Sequence, residues 1–238
     1  MPSDHAGPGA REQLVAVVAR SAAPGFLPGA LRDAAAQTDP DVRAAAVLVL
    51  FGVLDDDPSD RVAAAAVSRD LDVLLLARAS TLRSHPGQVA LPGGRVDPGD
   101  VDEIAAAVRE AREETGLDTS GVEVLGMLPP LPLEYSRHLV TPVLAWWRRP
   151  SPIRAVDLAE SAAVFRVPVA DLLAPANRGT TVLRRDGREW RGPGFVVHHP
   201  AGEYLVWGFT AMLLDGLFTE LGWTEDWDRE RELPLPPP

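Results

Sequence analysis

The chain has 238 residues and no cysteine, which excludes a disulfide framework, a thiolate metal centre and a cysteine nucleophile. Lysine is missing as well, since every one of the 23 basic residues is arginine. That removes a P-loop lysine and Schiff-base chemistry. Positive charge is scarce overall: 34 acidic residues leave a formal net charge of -11. A nucleic-acid partner, which calls for a basic face to neutralise phosphates, is therefore not expected. An anionic ligand would need local arginines or a metal ion bound through oxygen or imidazole. No apolar run is long enough to cross a bilayer. The opening residues MPSDHAGPGAREQLVAVVAR lack the basic start, apolar run and cleavage site of a secretory leader. The expectation is a soluble, cytoplasmic protein with no membrane partner.

What is present points to one substantial core with additions at both ends, because a hydrophobic fraction of 46% and a charged fraction of 24% lie in the globular range. Residues 1–40 mix helical apolar patches such as EQLVAVVAR with Gly/Pro breaks and read as an N-terminal helical extension. Residues 41–222 carry the ordered domain. In it, VRAAAVLVLFGV, LDVLLLAR, GVEVLGML, HLVTPVLAWW and AAVFRVPV read as strands, and FTAMLLDGLFTEL as a closing helix. Residues 223–238, WTEDWDRERELPLPPP, read as a loose, acidic, Pro-rich tail. Strands on both sides of a helix predict an α/β fold with a mixed sheet between helices.

The stretch with the most chemical content is GGRVDPGDVDEIAAAVREAREETGL, residues 93–117. A helix from about Asp102 to Thr115, turned by roughly 100° per residue, places Ile104, Val108, Ala111 and Thr115 on one side. Glu110, Glu113 and Glu114 share another arc, roughly opposite Arg109 and Arg112. Like charges at such spacings destabilise an isolated helix by a few tenths of a kcal/mol per pair. A divalent cation reverses that sign, and carboxylate oxygens are the ligands that magnesium and manganese prefer. Taken alone, REAREETG is as readily a solvated helix face of alternating charge.

Its surroundings favour the first reading. REAREETGL, Arg109 to Leu117, resembles the second half of the box of the Nudix hydrolases, G-x5-E-x7-R-E-U-x-E-E-x-G-U with U apolar, at every specified position. Gly94 stands where the box opens. Asp100 stands where the box has glutamate, and Arg109 follows it by nine residues instead of eight. Upstream, LLLARASTLRSHPGQVALPGG is similar to the signature L-L-T-x-R-[SA]-x3-R-x3-G-x3-F-P-G-G of the coenzyme A pyrophosphatase branch. Arg78, Ala79, Arg83, Gly87, Pro92, Gly93 and Gly94 are in register, with Leu76 in place of Thr and Leu91 in place of Phe. That branch has a lengthened loop similar to GGRVDPGD. Further segments extend the likeness over about residues 42–222.

The resemblance implies a Nudix-type α/β/α sandwich with a mixed sheet and a loop–helix–loop catalytic motif. It implies water attack on the diphosphate of a small nucleotide substrate, with Mg2+ or Mn2+ as cofactor. For this branch the substrate is coenzyme A or its thioesters, and the products are 4'-phosphopantetheine (or its acyl form) and adenosine 3',5'-bisphosphate. By resemblance Glu110 and Glu114 are the principal metal ligands. Glu113 is either a further ligand or the group that orients or deprotonates the water. Arg109 orients a carboxylate. The base comes either from the helix or from a later loop, where Glu160 is the first candidate and Glu134 the second. Arg78 and Arg83 either meet phosphates or lie along the surface as amphipathic side chains. His85, Gly87, Gln88, Gly93 and Gly94 complete the substrate-binding set. His198 and His199 are adjacent in a strand and so face opposite ways, which argues against a metal pair. Another dinucleotide-like substrate (ADP-ribose, NADH or a nucleoside triphosphate) is the competing reading. A non-catalytic binding module ranks last, because all three glutamates are retained. A homodimer is a further candidate assembly.

Overall fold

The computed structural model describes residues 9–21, 42–53, 67–79, 87–133, 137–185, 187–200 and 202–236. Arg83, His85 and Glu134 lie outside them. The chain runs through α1 (Ala10–Arg20), β1 (Arg43–Val53), β2 (Leu71–Arg78), β3 (Val89–Ala90), β4 (Gly93–Arg95) and α2 (Glu103–Thr115). It continues through β5 (Val122–Met127), β6 (Leu131–Leu133), β7 (His138–Trp147), β8 (Ser161–Pro168) and α3 (Val169–Leu173). Then follow β9 (Arg178–Arg185), β10 (Arg188–His199), β11 (Gly202–Val206), α4 (Gly208–Glu220) and β12 (Glu232–Leu233).

Strands β3-β2-β1-β7-β5 form the spine of a mixed sheet, with β4 on β1, β6 on β7 and β8 on β2. β1 and β7 are parallel, while β2 and β4 join β1 antiparallel. The apolar runs of these central strands are continuous because both faces are covered, and successive side chains alternate between them. Along β1, Ala46, Leu48 and Leu50 enter the core under α2, whereas Val49 and Phe51 enter the core shared with α1 and α4. Helices thus cover both faces of a mixed sheet, as expected.

Three features differ from the sequence reading. First, α2 buries Ala106, Ala107, Ala111 and Thr115, with Ile104 and Val108 only partly buried. Alanines under the helix let its backbone approach the sheet closely, and that outweighs the larger apolar side chains in setting its rotation. Second, residues 178–206 form a hairpin pair that joins β12 in a separate four-stranded sheet, β11-β10-β9-β12. Its strands carry arginine, glycine and proline, which hides their period. Third, the C-terminal segment is packed, not loose. Trp223 is 2% exposed, and Trp227 and Leu233 are also buried. β12 pairs parallel with β9, and Thr180 donates to the carbonyl of Arg231 at 2.8 Å. An edge position suits a segment that soon runs into proline. The buried tryptophans supply apolar area that the count of acidic residues conceals.

Candidate active site

The site is assembled where α2 crosses β4. Asp102 starts the helix by accepting a hydrogen bond from the Ala105 backbone N–H at 2.7 Å. Gly116 ends it in the left-handed region at φ 68°, its N–H bonded to the Arg112 carbonyl. Beneath the helix, β4 is registered on β1, with Gly93 opposite Val47 and Gly94 opposite Ala46. The paired glycines are there for space. A β-carbon on Gly94 would stand 2.4 Å from Oε1 of Glu110, and one on Gly93 would stand 2.3 Å from the Ala46 carbonyl.

Glu110 and Glu114 therefore meet over the two glycines. The Gly93 N–H donates to Oε2 of Glu114 at 3.0 Å. Burial pushes the Glu114 carboxyl up to about 7, an effect that the Gly93 N–H opposes and the neighbouring charge of Glu110 reinforces. Arg78 pulls in the opposite direction and Glu160 adds to the rise, so both stand within electrostatic reach. Glu110 is likewise raised, first by burial, although Arg109 favours its charged form. A half-buried carboxylate pair has been placed where negative charge is costly, a common property of functional sites.

Arg109 is the keystone of the loop. It grips Asp100 with both ends of its fork, Nε to Oδ1 at 3.0 Å and Nη2 to Oδ2 at 2.9 Å. Nη2 also donates to the Arg95 carbonyl at 3.1 Å. Nη1 reaches Glu113 and Glu110, each at 3.1 Å. The guanidinium thus ties the loop to the helix and braces Glu110, and it holds the Asp100 carboxyl well below its ordinary range. The helical wheel set Arg109 opposite the glutamates, whereas its length carries the guanidinium round to them. The shorter Asp100 still completes the pair, because the loop delivers its backbone to the helix.

The expected residues that the structure describes divide into two sets. Glu110, Glu114, Gly93, Gly94, Arg78 and Glu160 are brought together. Glu113 is not: its side chain is 59% exposed and turned to Arg109. Arg78 ends β2 at a bulge against β8, between Ala77 and Arg78. Its buried Nε has no hydrogen-bond partner among the described residues. The Arg78 N–H bonds the Gln88 carbonyl at 3.0 Å and the Ala79 N–H bonds that of Glu160 at 2.9 Å, so both residues are anchored at the end of β2. Gly87 turns at φ 67°. His198 is exposed beside Glu203 at 3.5 Å, and His199 packs its ring near Phe165, so neither joins the site. Sequence reasoning missed the Gly93 N–H as the partner of Glu114, and only the register of β4 on β1 discloses it.

The carboxylate pair suits a hard divalent cation. It is half-buried and like-charged, glycine at position 94 gives the Glu110 carboxylate its room, and magnesium commonly takes only one or two carboxylates alongside substrate phosphate. Among the described residues no group of three or more His, Cys, Asp or Glu is gathered as a metal cage.

Comparison with known proteins finds likenesses in sequence and in fold. The NUDIX domain family matches residues 58–185. An uncharacterized Nudix hydrolase, NudL, of Cronobacter sakazakii is 39% identical over 150 residues, covering 63% of this chain and 75% of that protein. Nudix hydrolase 15, mitochondrial, of Arabidopsis thaliana is 37% identical over 153 residues, covering 61% of this chain and 51% of that protein. Among solved structures, a MutT/nudix family protein from Enterococcus faecalis aligns at 17% identity over 91% of this chain and 76% of its own, with a TM-score of 0.44.

Proposed function

This chain belongs to the Nudix family and is a hydrolase of that family, and on that premise we propose that it cleaves the diphosphate bond of coenzyme A or its thioesters. The observation that carries the reaction class is the Glu110–Glu114 pair over Gly93 and Gly94, with Arg78 beside it. Nudix hydrolases use divalent metal ions. Here Glu110 and Glu114 would hold Mg2+ or Mn2+, which when bound neutralises diphosphate charge and lowers the pKa of water.

The chain's own residues do the rest. Arg78, partly buried and with its Nε unpartnered among the described residues, meets a phosphate oxygen. Glu160, exposed at the end of a turn yet close enough to influence Glu114, orients the attacking water and takes its proton. The water oxygen bonds to phosphorus as the bridging P–O bond breaks, leaving 4'-phosphopantetheine and adenosine 3',5'-bisphosphate. Arg109 and Asp100 keep the loop and Glu110 in place, and Glu113 braces Arg109. Catalysis is then mainly positioning and electrostatics.

The substrate assignment is supported by the signature around Arg78. The two departures from it, Leu76 and Leu91, are 1% and 4% exposed. They alter the interior under the site and leave its surface unchanged. Mass spectrometry of a nucleotide panel incubated with magnesium or manganese tests the proposal. Coenzyme A should give the two products named above. Turnover of ADP-ribose far faster than coenzyme A at matched concentration would refute the substrate assignment while leaving the hydrolase intact.

A further inference from the structure

The loop from β7 to β8 displays two aliphatic side chains in water, Val156 at 50% and Leu158 at 73% exposed. A single exposed leucine is ordinary. These two, however, lie on a segment fastened to the site at both ends. Upstream, the Arg154 N–H bonds the Thr115 carbonyl at 2.9 Å and the Val156 N–H bonds the Glu114 carbonyl at 3.2 Å, so the loop satisfies the last carbonyls of α2. Downstream it ends at Glu160. Between them Asp157 closes a turn, its Oδ1 accepting from the Ala159 N–H at 2.8 Å and its carbonyl from Ser161 at 2.9 Å. Leu158 is therefore held at the tip of a hydrogen-bonded turn, two residues before Glu160, whose charge reaches Glu114, and a binder of polar groups alone has no use for a leucine there.

Resting on the proposed function, we infer that Val156 and Leu158 form the specificity surface for the non-nucleoside, branched aliphatic arm of the substrate. The chemistry of coenzyme A fits. In its pantetheine arm a quaternary carbon bearing two methyl groups stands a single methylene from the esterified phosphate oxygen, so apolar surface begins directly beside the reacting diphosphate. In ADP-ribose the same position carries a hydroxylated ring, which gains nothing from an aliphatic rim.

The test compares the parent enzyme with Leu158→Ser and Leu158→Met, using coenzyme A as substrate and ADP-ribose as substrate or competitive inhibitor. Circular dichroism first confirms the fold, which an exposed position should tolerate. In Leu158→Ser the preference for coenzyme A over ADP-ribose should fall about tenfold, a typical value for lost methyl contacts. The change should lie chiefly in the KM for coenzyme A. Leu158→Met should restore the preference. An unchanged ratio in Leu158→Ser, with coenzyme A cleaved by the parent, overturns this inference alone. A parent enzyme that cleaves ADP-ribose but not coenzyme A overturns both this inference and the substrate assignment it rests on.

Discussion

Two charge centres in this molecule, one half-buried and one fully buried, have opposite fates. At the first, Glu110 and Glu114 gather negative charge over bare glycines, with Glu160 near and Arg78 offering an unpaired nitrogen. At the second, Arg178 is wholly buried, with the ring centroids of Phe195 and Trp227 each 4.5 Å from its guanidinium carbon. Its Nη2 donates to Asp215, while Nε and Nη1 have no hydrogen-bond partner among the described residues. Each centre has polar atoms left wanting. The aromatic walls of the second supply cation–π attraction and pin Trp227 of the C-terminal segment against the second sheet. The carboxylates have no such wall. Their surplus charge is packed against bare glycine backbone, the arrangement expected where a ligand completes the balance.

Deleting charge at each centre is the strongest way to break this comparison. Glu114→Gln preserves shape and removes a carboxylate, so turnover should fall on the order of a thousandfold in steady-state kinetics, as for the loss of a metal ligand. Near-normal turnover would remove Glu114 from the reaction. Arg178→Ala should act on stability instead, costing about 3 kcal/mol in denaturant unfolding because Asp215 loses its partner. Its kcat per folded molecule should stay that of the parent. Arg178→Met, which keeps apolar volume between the rings, should cost less.

Titration sharpens the contrast further. The Glu114 carboxyl is raised from 4.5 to about 7 in the folded chain, so in that interval the native state keeps a proton the unfolded state has released. Stability is then fully present below about pH 4.5 and declines as pH rises through 7, by at most about 3 kcal/mol. Thermal melts in chelator should show a steeper decline in the parent than in Glu114→Gln, where the raised Glu110 carboxyl remains; equal slopes in both would assign it elsewhere. The smallest effect is expected at the helix terminus. Gly116 adopts φ 68°, and Gly116→Ala should cost about 1 kcal/mol by forcing a β-carbon into the left-handed region. Equal melting temperatures for the two proteins would contradict it.

Much of the first centre was legible in the sequence, and almost none of the second. The spacing of Glu110, Glu113 and Glu114 is a local, helical fact, and glycines before and after the helix announce a close approach and a cap. Asp102 and Gly116 do what such residues do at helix ends. Arg178 had no comparable sign, because its partners come from residues 195, 215 and 227. No local period connects them. The tail looked loose for the same reason: its acidic residues are neighbours in sequence, while the walls that receive Trp223 and Trp227 come from elsewhere in the chain.

The sequence by itself determined the elements whose causes are short-range: the buried strands, the capped helix, its carboxylate stripe, and the absence of thiols and lysine amines that narrows the chemistry to oxygen or imidazole ligands and arginine. Only the tertiary structure decided which carboxylates meet. A helix presents three glutamates at similar angles, but the register of β4 on β1 puts the Gly93 N–H under Glu114 and the bare backbone of Gly94 against the Glu110 carboxylate. Arg109, reaching across to Asp100, takes Glu113 with it. Angles around a helix depend on backbone geometry alone, whereas burial, and with it the raised Glu114 carboxyl, depends on what the rest of the chain places against that face.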